Sequence, residues 1–342
     1  MWTTPADPPT DPGPAGPAVP AARGALSRAT ADCLRDPHLP VPDLRAATAA
    51  ADPYGDDLQL ALYLLYELHY RGLAGVRDDR EWDPALLALR ALLEDRFLAA
   101  LRRDVPAGRG VDEVFADLLA EPADTSGSVA HYLQRQGDVE LLREYVALRS
   151  LYHLKEADPH AWVLPRLSGR AKAAMAAVEY DEFGAGRAED VHARLFADMM
   201  DDLGLDHTYG HYLGRAPAPA LAVVNLMSLF GLHRRLRGAL VGHFAWVEVT
   251  SSPGSRRLAQ AMRRTGAGPA AQRFYDEHVE ADAVHEQVVR RDVIGGLLAD
   301  EPGLAPDVAF GAEATTFLED RLAECLLDAW RNGRSALIDR RS

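Results

Sequence analysis

Residues 274–286 read FYDEHVEADAVHE. On a helix, His278, Asp282 and His285 stand at i, i+4 and i+7, within a stripe about 60° wide at roughly 100° per residue. Two imidazoles and a carboxylate on one stripe make a hemisphere of nitrogen and oxygen ligands. Such a set suits Fe(II), Mn(II) or Zn(II), and the lack of thiolates disfavours a soft metal. The competing reading is a solvated polar face, because Glu277, Glu280 and Glu286 share the segment. A metal centre in a bundle needs further ligands from facing helices.

Three other places offer them. Residues 178–196, VEYDEFGAGRAEDVHARLF, contain Glu182 and His192, ten positions apart. A regular helix would turn these side chains away from each other, but Gly184 and Gly186 permit a break between them. Glu189, three residues before His192, competes with Glu182 for the same role. Glu248 ends the apolar run LVGHFAWVEVTSS, where an unpaired carboxylate is costly to bury. A metal would relieve that cost, and so would Arg256 or Arg257. Glu156, in HLKEADPHAW, has His153 and His160 nearby; the alternative for it is capping, or pairing with Lys155 or Arg170.

The elements that position these residues read as helices throughout. Leucines recur at three- and four-residue spacing over residues 58–73 and 84–104, and shorter helical runs follow over 110–120, 139–155, 170–182 and 189–203. Further runs cover 219–248, 255–265, 270–298 and 315–330, and no stretch alternates with period two between hairpin signals. The expectation is an all-α bundle of about eight to ten helices, whose longest apolar run is too short to span a bilayer. The first 23 residues are broken repeatedly by proline and have little to bury, and Pro37, Pro40 and Pro42 mark a loop soon after. Residues 1–45 are therefore expected as a disordered Pro/Ala-rich tail, 46–125 as a helical arm, and 126–342 as the domain that carries the ligands.

Composition narrows the function. The 342 residues carry 51 acids against 37 bases, a net charge of −14. That balance argues against binding nucleic acid or an anionic membrane surface. Two cysteines, Cys33 and Cys325, and no export signal point to a reducing, cytoplasmic setting.

The DEFGAG segment with the later His192-Ala-Arg-Leu-Phe, the lone Glu248, and H-x-x-x-D-x-x-H at His278, Asp282 and His285 resemble, in order and separation, the haem-oxygenase-like di-iron oxidases, also called iron-containing redox enzymes. The resemblance covers about residues 140–330. It implies a seven-helix haem-oxygenase-like core with two irons per chain, usually in a homodimer to which the N-terminal arm would contribute. Glu182 or Glu189, His192, Glu248, His278, Asp282 and His285 would be the ligands. Members that oxygenate nitrogen add a carboxylate from an earlier helix, and Glu156 stands where that residue would be. Members that fragment fatty or amino acids often do without it. Haem is not implied, and neither cysteine is placed to serve as the nucleophile of thiaminase-like relatives.

The resemblance thus implies an O2-dependent non-haem di-iron oxidase or oxygenase working through a peroxo-di-iron(III) species, with a small amine, amino-acid or acyl substrate and an external reductant. Arg234, Arg235 and Arg237 could grip a substrate carboxylate, and Tyr180, Trp246 and Tyr275 could line a pocket. His233 and His243 read as hydrogen-bonded core histidines. The alternatives are a ferritin-like metal binder, which has no need of His278, and a helical interaction module that binds no metal.

Overall fold

The computed structural model describes residues 16–120 and 124–339, with residues 280–283 described by backbone alone. All regular structure among the described residues is helical, as the spacing of leucines predicts. No helix among them is long and apolar enough to cross a membrane.

Residues 1–15 lie outside the description, but residues 16–45 depart from the expected disordered tail. Helix α1 (Ala25–Arg35) buries Leu26, Thr30, Cys33 and Leu34 at helical spacing. Its N-terminus is capped from another element: the Asp57 carboxylate accepts from the Leu26 and Ser27 amides at 2.9 and 2.7 Å. Ahead of it, the chain is strapped down by the Ala74 amide donating to the Pro17 carbonyl at 3.0 Å. Proline density marks an extended strap here, one that satisfies its polar groups against neighbouring loops.

Helix α2 (Asp56–Glu67) buries every residue from Leu58 to Glu67, so it is enclosed on all sides. It lies between α1 and α7 (Ala218–Leu232), itself almost wholly apolar and buried. The shared polar contact is Asn225 Nδ2, which donates to the carbonyl and Oε1 of Gln59, both at 2.8 Å. Helix α3 (Pro84–Asp104) opens with Pro84 at its first turn and the Asp83 carboxylate accepting from the Ala85 amide.

The helices that carry the candidate ligands follow. They are α4 (Val139–His153), α5 (Gly169–Glu182), α6 (His192–Asp202), α8 (Arg237–Thr265) and α9 (Pro269–Val288), with α10 (Ala305–Arg331) closing the chain. The run expected at 219–248 is two helices, divided at His233, where the Arg166 guanidinium takes the last carbonyls of α7, those of Gly231 and Leu232. Conversely, no new helix starts at Ser255, because α8 carries on through Pro253. The run expected over 270–298 leaves α9 through a π-helical turn, Val289–Ile294, and α10 begins ten residues earlier than its leucines suggest.

Helix α8 is the central strut, packed against both α9 and α10. It meets α10 closely because glycine stands at each crossing point. A Cβ on Gly242 would lie 1.9 Å from the Val308 carbonyl oxygen, and one on Gly311 would lie 2.0 Å from that of Ala239.

A buried ion pair ties α2 to the turn after α4. Lys155 Nζ sits 3.0 Å from Glu67 Oε2, with both side chains almost fully excluded from water. Tyr209 Oη donates to Glu67 Oε1 at 2.6 Å, and the ammonium lies 4.0 Å from the Tyr70 ring centroid. Removing one partner leaves a buried charge uncompensated. Lys155→Met is expected to lower the free energy of unfolding by about 3–5 kcal/mol. Urea denaturation checks this, and Lys155→Met combined with Glu67→Gln should recover much of the loss, which an additive double mutant would contradict.

Candidate metal centre

Six of the seven candidate ligands come together in the interior, in two adjoining groups. Glu156, His192 and His278 offer one ligand atom each within 4.8 Å of one another, and Glu182, Glu248 and His285 do the same. All six residues are buried. The side chain of Asp282 lies outside the described residues; its backbone is helical, on α9 between His278 and His285.

Burial separates Glu182 from Glu189, for Glu182 is enclosed beside His192 and Glu189 is exposed. The glycine break works as its composition suggests. Gly184 takes φ +72°, and a Cβ there would lie 2.6 Å from the Val191 amide nitrogen. The chain reverses through two short 3-10 turns, and His192 Nδ1 comes to 2.7 Å from Glu182 Oε2. Glu182 Oε1 is also 3.6 Å from His285 Nδ1, so this carboxylate joins the two groups.

Glu156 reaches the centre from a strained turn. The next residue, Ala157, takes φ +73°, a left-handed conformation unfavourable for a residue with a Cβ. The adjacent side chains before it diverge: Lys155 turns to α2, and Glu156 turns inward. Glu156 Oε1 lies 2.7 Å from His153 Nδ1 and 3.7 Å from His278 Nε2. Neither Lys155 nor Arg170 is its partner, since Lys155 holds Glu67 and Arg170 pairs with Asp292. Glu248, one turn before Pro253, has Oε2 3.2 Å from His285 Nδ1.

Neighbouring groups fix which ring nitrogen is bare. His278 Nδ1 lies 2.7 Å from the Phe274 carbonyl, which can only accept, so Nδ1 carries the proton and Nε2 faces Glu156. His285 Nε2 lies 3.3 Å from Asp181 Oδ2, leaving Nδ1 toward Glu182 and Glu248. These are the second partners that metal-bound imidazoles characteristically keep. Glu156 Oε2 and His192 Nδ1 are buried with no aligned hydrogen bond. A buried carboxylate oxygen and a buried imidazole nitrogen without aligned hydrogen bonds, with no thiolate near, fit a divalent first-row metal such as iron.

The charges respond to this crowding. Burial works against charging His285, yet Glu248, Glu182 and Asp181 outweigh it and push its pKa up to about 9. Burial favours a neutral Glu156, but His153 and His278 hold its carboxyl well below the usual carboxylate range. Sequence reasoning missed Glu179, one turn before Glu182 on α5. Burial, then the charges of Glu182, Glu248 and Asp158, raise its pKa to about 9, and neither of its oxygens has a hydrogen-bond partner. It also missed Asp181 and His153 as partners of ligands. No spacing rule links Asp181 to α9, whereas His153 and Glu156 stand at the i,i+3 spacing of helical neighbours, a signal that could have paired them.

A small cavity of about 40 Å³ opens between the groups. Glu156, Glu182, Glu248, His278, His160 and Ser251 supply its polar lining, and Tyr152, Phe244 and Val247 are among its apolar wall. None of the candidate substrate-gripping arginines reaches it: Arg237 pairs with Glu301, and Arg234 and Arg235 are exposed. Tyr180 is exposed, and Trp246 and Tyr275 pack elsewhere. His233 bonds Glu94 and His243 bonds Thr315, as core histidines should.

Linkage gives a test without any metal. His285 and Glu179 both have folded pKa values near 9, above their ordinary values of 6.5 and 4.5. The fold therefore holds protons that the unfolded chain releases, and this contribution to stability is lost as pH rises. Metal-free protein is expected to lose stability between pH 6.5 and about 9. Urea midpoints across that range measure it, and a midpoint that rises would contradict the arrangement.

A family model described as iron-containing redox enzyme matches residues 143–320, a stretch that includes every candidate ligand. No curated protein matches the chain.

Proposed function

The chain belongs to the family of iron-containing redox enzymes, and from that premise we propose that it is a non-haem di-iron oxygenase that uses dioxygen to oxidise the nitrogen of a small amine. The observation that carries this reading is Glu156. It is buried and grouped with His192 and His278, completing the ligand set that the nitrogen-oxygenating pattern requires. Glu156, His192 and His278 would hold one iron, Glu182, Glu248 and His285 the other, and Asp282 would join them from α9. Bound iron would supply the activation of dioxygen, with electrons from an external donor.

The chain's own residues shape the rest. Glu182 stands between the groups, so its two oxygens can serve both. Phe274 and Asp181 engage one ring nitrogen of His278 and of His285, which turns the other nitrogen of each ring toward the carboxylates. The cavity is small and presents three carboxylates. No lysine or arginine lines it among the described residues, so it offers no cationic grip for a substrate carboxylate and suits a group that brings N–H donors. That favours an amine over an acyl substrate.

Anaerobic Fe(II) titration should reach about two irons per chain, and Glu156→Ala should retain about one. With dioxygen, a reductant and a panel of small amines and guanidines, mass spectrometry should find a product gaining one oxygen on nitrogen. Glu156→Ala should abolish it. Full iron loading and unchanged N-oxygenation in Glu156→Ala would overturn the reading, as would carbon–carbon cleavage of a carboxylic acid as the sole activity.

A further inference from the structure

His160 lines the metal-site cavity but belongs to neither ligand group. Its side chain is 1% exposed, and its Nε2 has no hydrogen-bond partner. The ring is walled by aromatic neighbours: Phe244 at 5.0 Å, Tyr152 at 5.9 Å and, behind it, His243 at 5.2 Å between centroids.

The protonation of His243 follows from its partner. The Thr315 hydroxyl donates to the Gly311 carbonyl at 2.7 Å, so toward His243 Nδ1, at 2.8 Å, it can only accept. His243 therefore carries its proton on Nδ1 and leaves a bare Nε2, buried and also without a partner. Burial lowers both rings' pKa, that of His160 to about 4, so both are neutral at physiological pH. With the single proton of the neutral His160 ring on Nδ1, its partnerless Nε2 is a bare acceptor. Such an acceptor, buried and unmatched, is unfavourable, and a bound donor removes that cost.

The missing donor is defined by the surroundings. Around His160 the cavity is lined by three carboxylates, the hydroxyl-bearing Tyr152 and Ser251, the imidazoles of His153 and His278, and no lysine or arginine among the described residues. Its volume, about 40 Å³, has room for about one water, and hence for a single reacting nitrogen in place of that water. Resting on the amine reading above, we propose that His160 binds the substrate by accepting a hydrogen bond from the N–H of its ammonium or guanidinium group, with His243 and Thr315 as positioning residues that hold the ring. The contact places the nitrogen to be oxidised between the ligand groups. It also discriminates against carboxylates, which would set acceptor against acceptor.

The test uses the Zn(II)-loaded full chain, which binds without turnover. Calorimetry with n-butylammonium and methylguanidinium, and with butyrate as the anionic control, reads affinity. In His160→Phe the cation affinity is expected to fall about tenfold with zinc stoichiometry unchanged, and His160→Gln, which keeps an acceptor, should restore it to within about threefold. Should His160→Phe misfold, imidazole ¹⁵N shifts of the wild-type chain decide. Saturating butylammonium should move the bare His160 nitrogen, while His243 stays in its Nδ1–H tautomer. Cations that bind wild type and His160→Phe equally well, or an unmoved His160 signal at saturation, would overturn the role of His160 alone. Butyrate binding more tightly than either cation would overturn the amine reading itself.

Discussion

Three carboxylates, Glu156, Glu182 and Glu248, are gathered where each is less than a tenth exposed, and the rest of the structure answers to that constraint. Taking one carboxylate out of water costs several kcal/mol even after relaxation. Gathering three adds mutual repulsion. Within the chain the offset comes from His192, His278 and His285, each within 4 Å of one of these carboxylates. Where that offset runs short, the fold keeps protons: Glu179, with the charges of Glu182 and Glu248 nearby and no hydrogen bond of its own, is held neutral well past its ordinary pKa. A site of this kind is strained when metal-free and is relieved by a divalent cation, so binding energy and folding energy are coupled.

Much of the site was legible because helical spacing is a rigid ruler. His278 and His285 share a face by arithmetic alone, and a lone acid in the apolar run ending at Glu248 had to have a partner. The pairing of Glu182 with His192 was legible in outline from two glycines. Choosing Glu182 over Glu189 required knowing which side of the turn faces inward, which spacing does not encode across a left-handed Gly184. Glu156 lay furthest from sequence reach. It stands in the turn that leaves α4, and the positive φ that follows at Ala157, a residue with no intrinsic preference for that region, is not announced by the local composition. Most of the long helices were read correctly, but the helices at Ala25–Arg35 and Val129–Gln136 and several boundaries were not. A guanidinium from a distant loop ends α7, and packing on both sides carries α8 through a proline, both tertiary effects.

The ordering of residues 16–45 has the same origin. Proline removes local helical options, yet an extended strap can be fixed when a carboxylate on another helix, Asp57, takes the amides at the start of α1. Leu26, Thr30, Cys33 and Leu34 then find a surface already in place. Their spacing was visible in the sequence, but the surface that makes it worthwhile was not.

That surface explains why the N-terminal helices cannot be treated as a detachable arm. Helix α7 lies within the family match and is apolar on nearly every face, so something must cover it, and α2 does. The same helix brings Glu67 to Lys155, whose neighbour Glu156 faces the metal centre. With Glu67 absent, Lys155 would be a buried, uncompensated cation two residues before the strained Ala157, and its cheapest escape would be to rotate the turn toward solvent. That rotation would draw Glu156 away from His192 and His278. The ion pair on one side of the turn and the ligand group on the other thus hold a single backbone conformation between them, and Ala157 tolerates its left-handed φ because both neighbours are anchored.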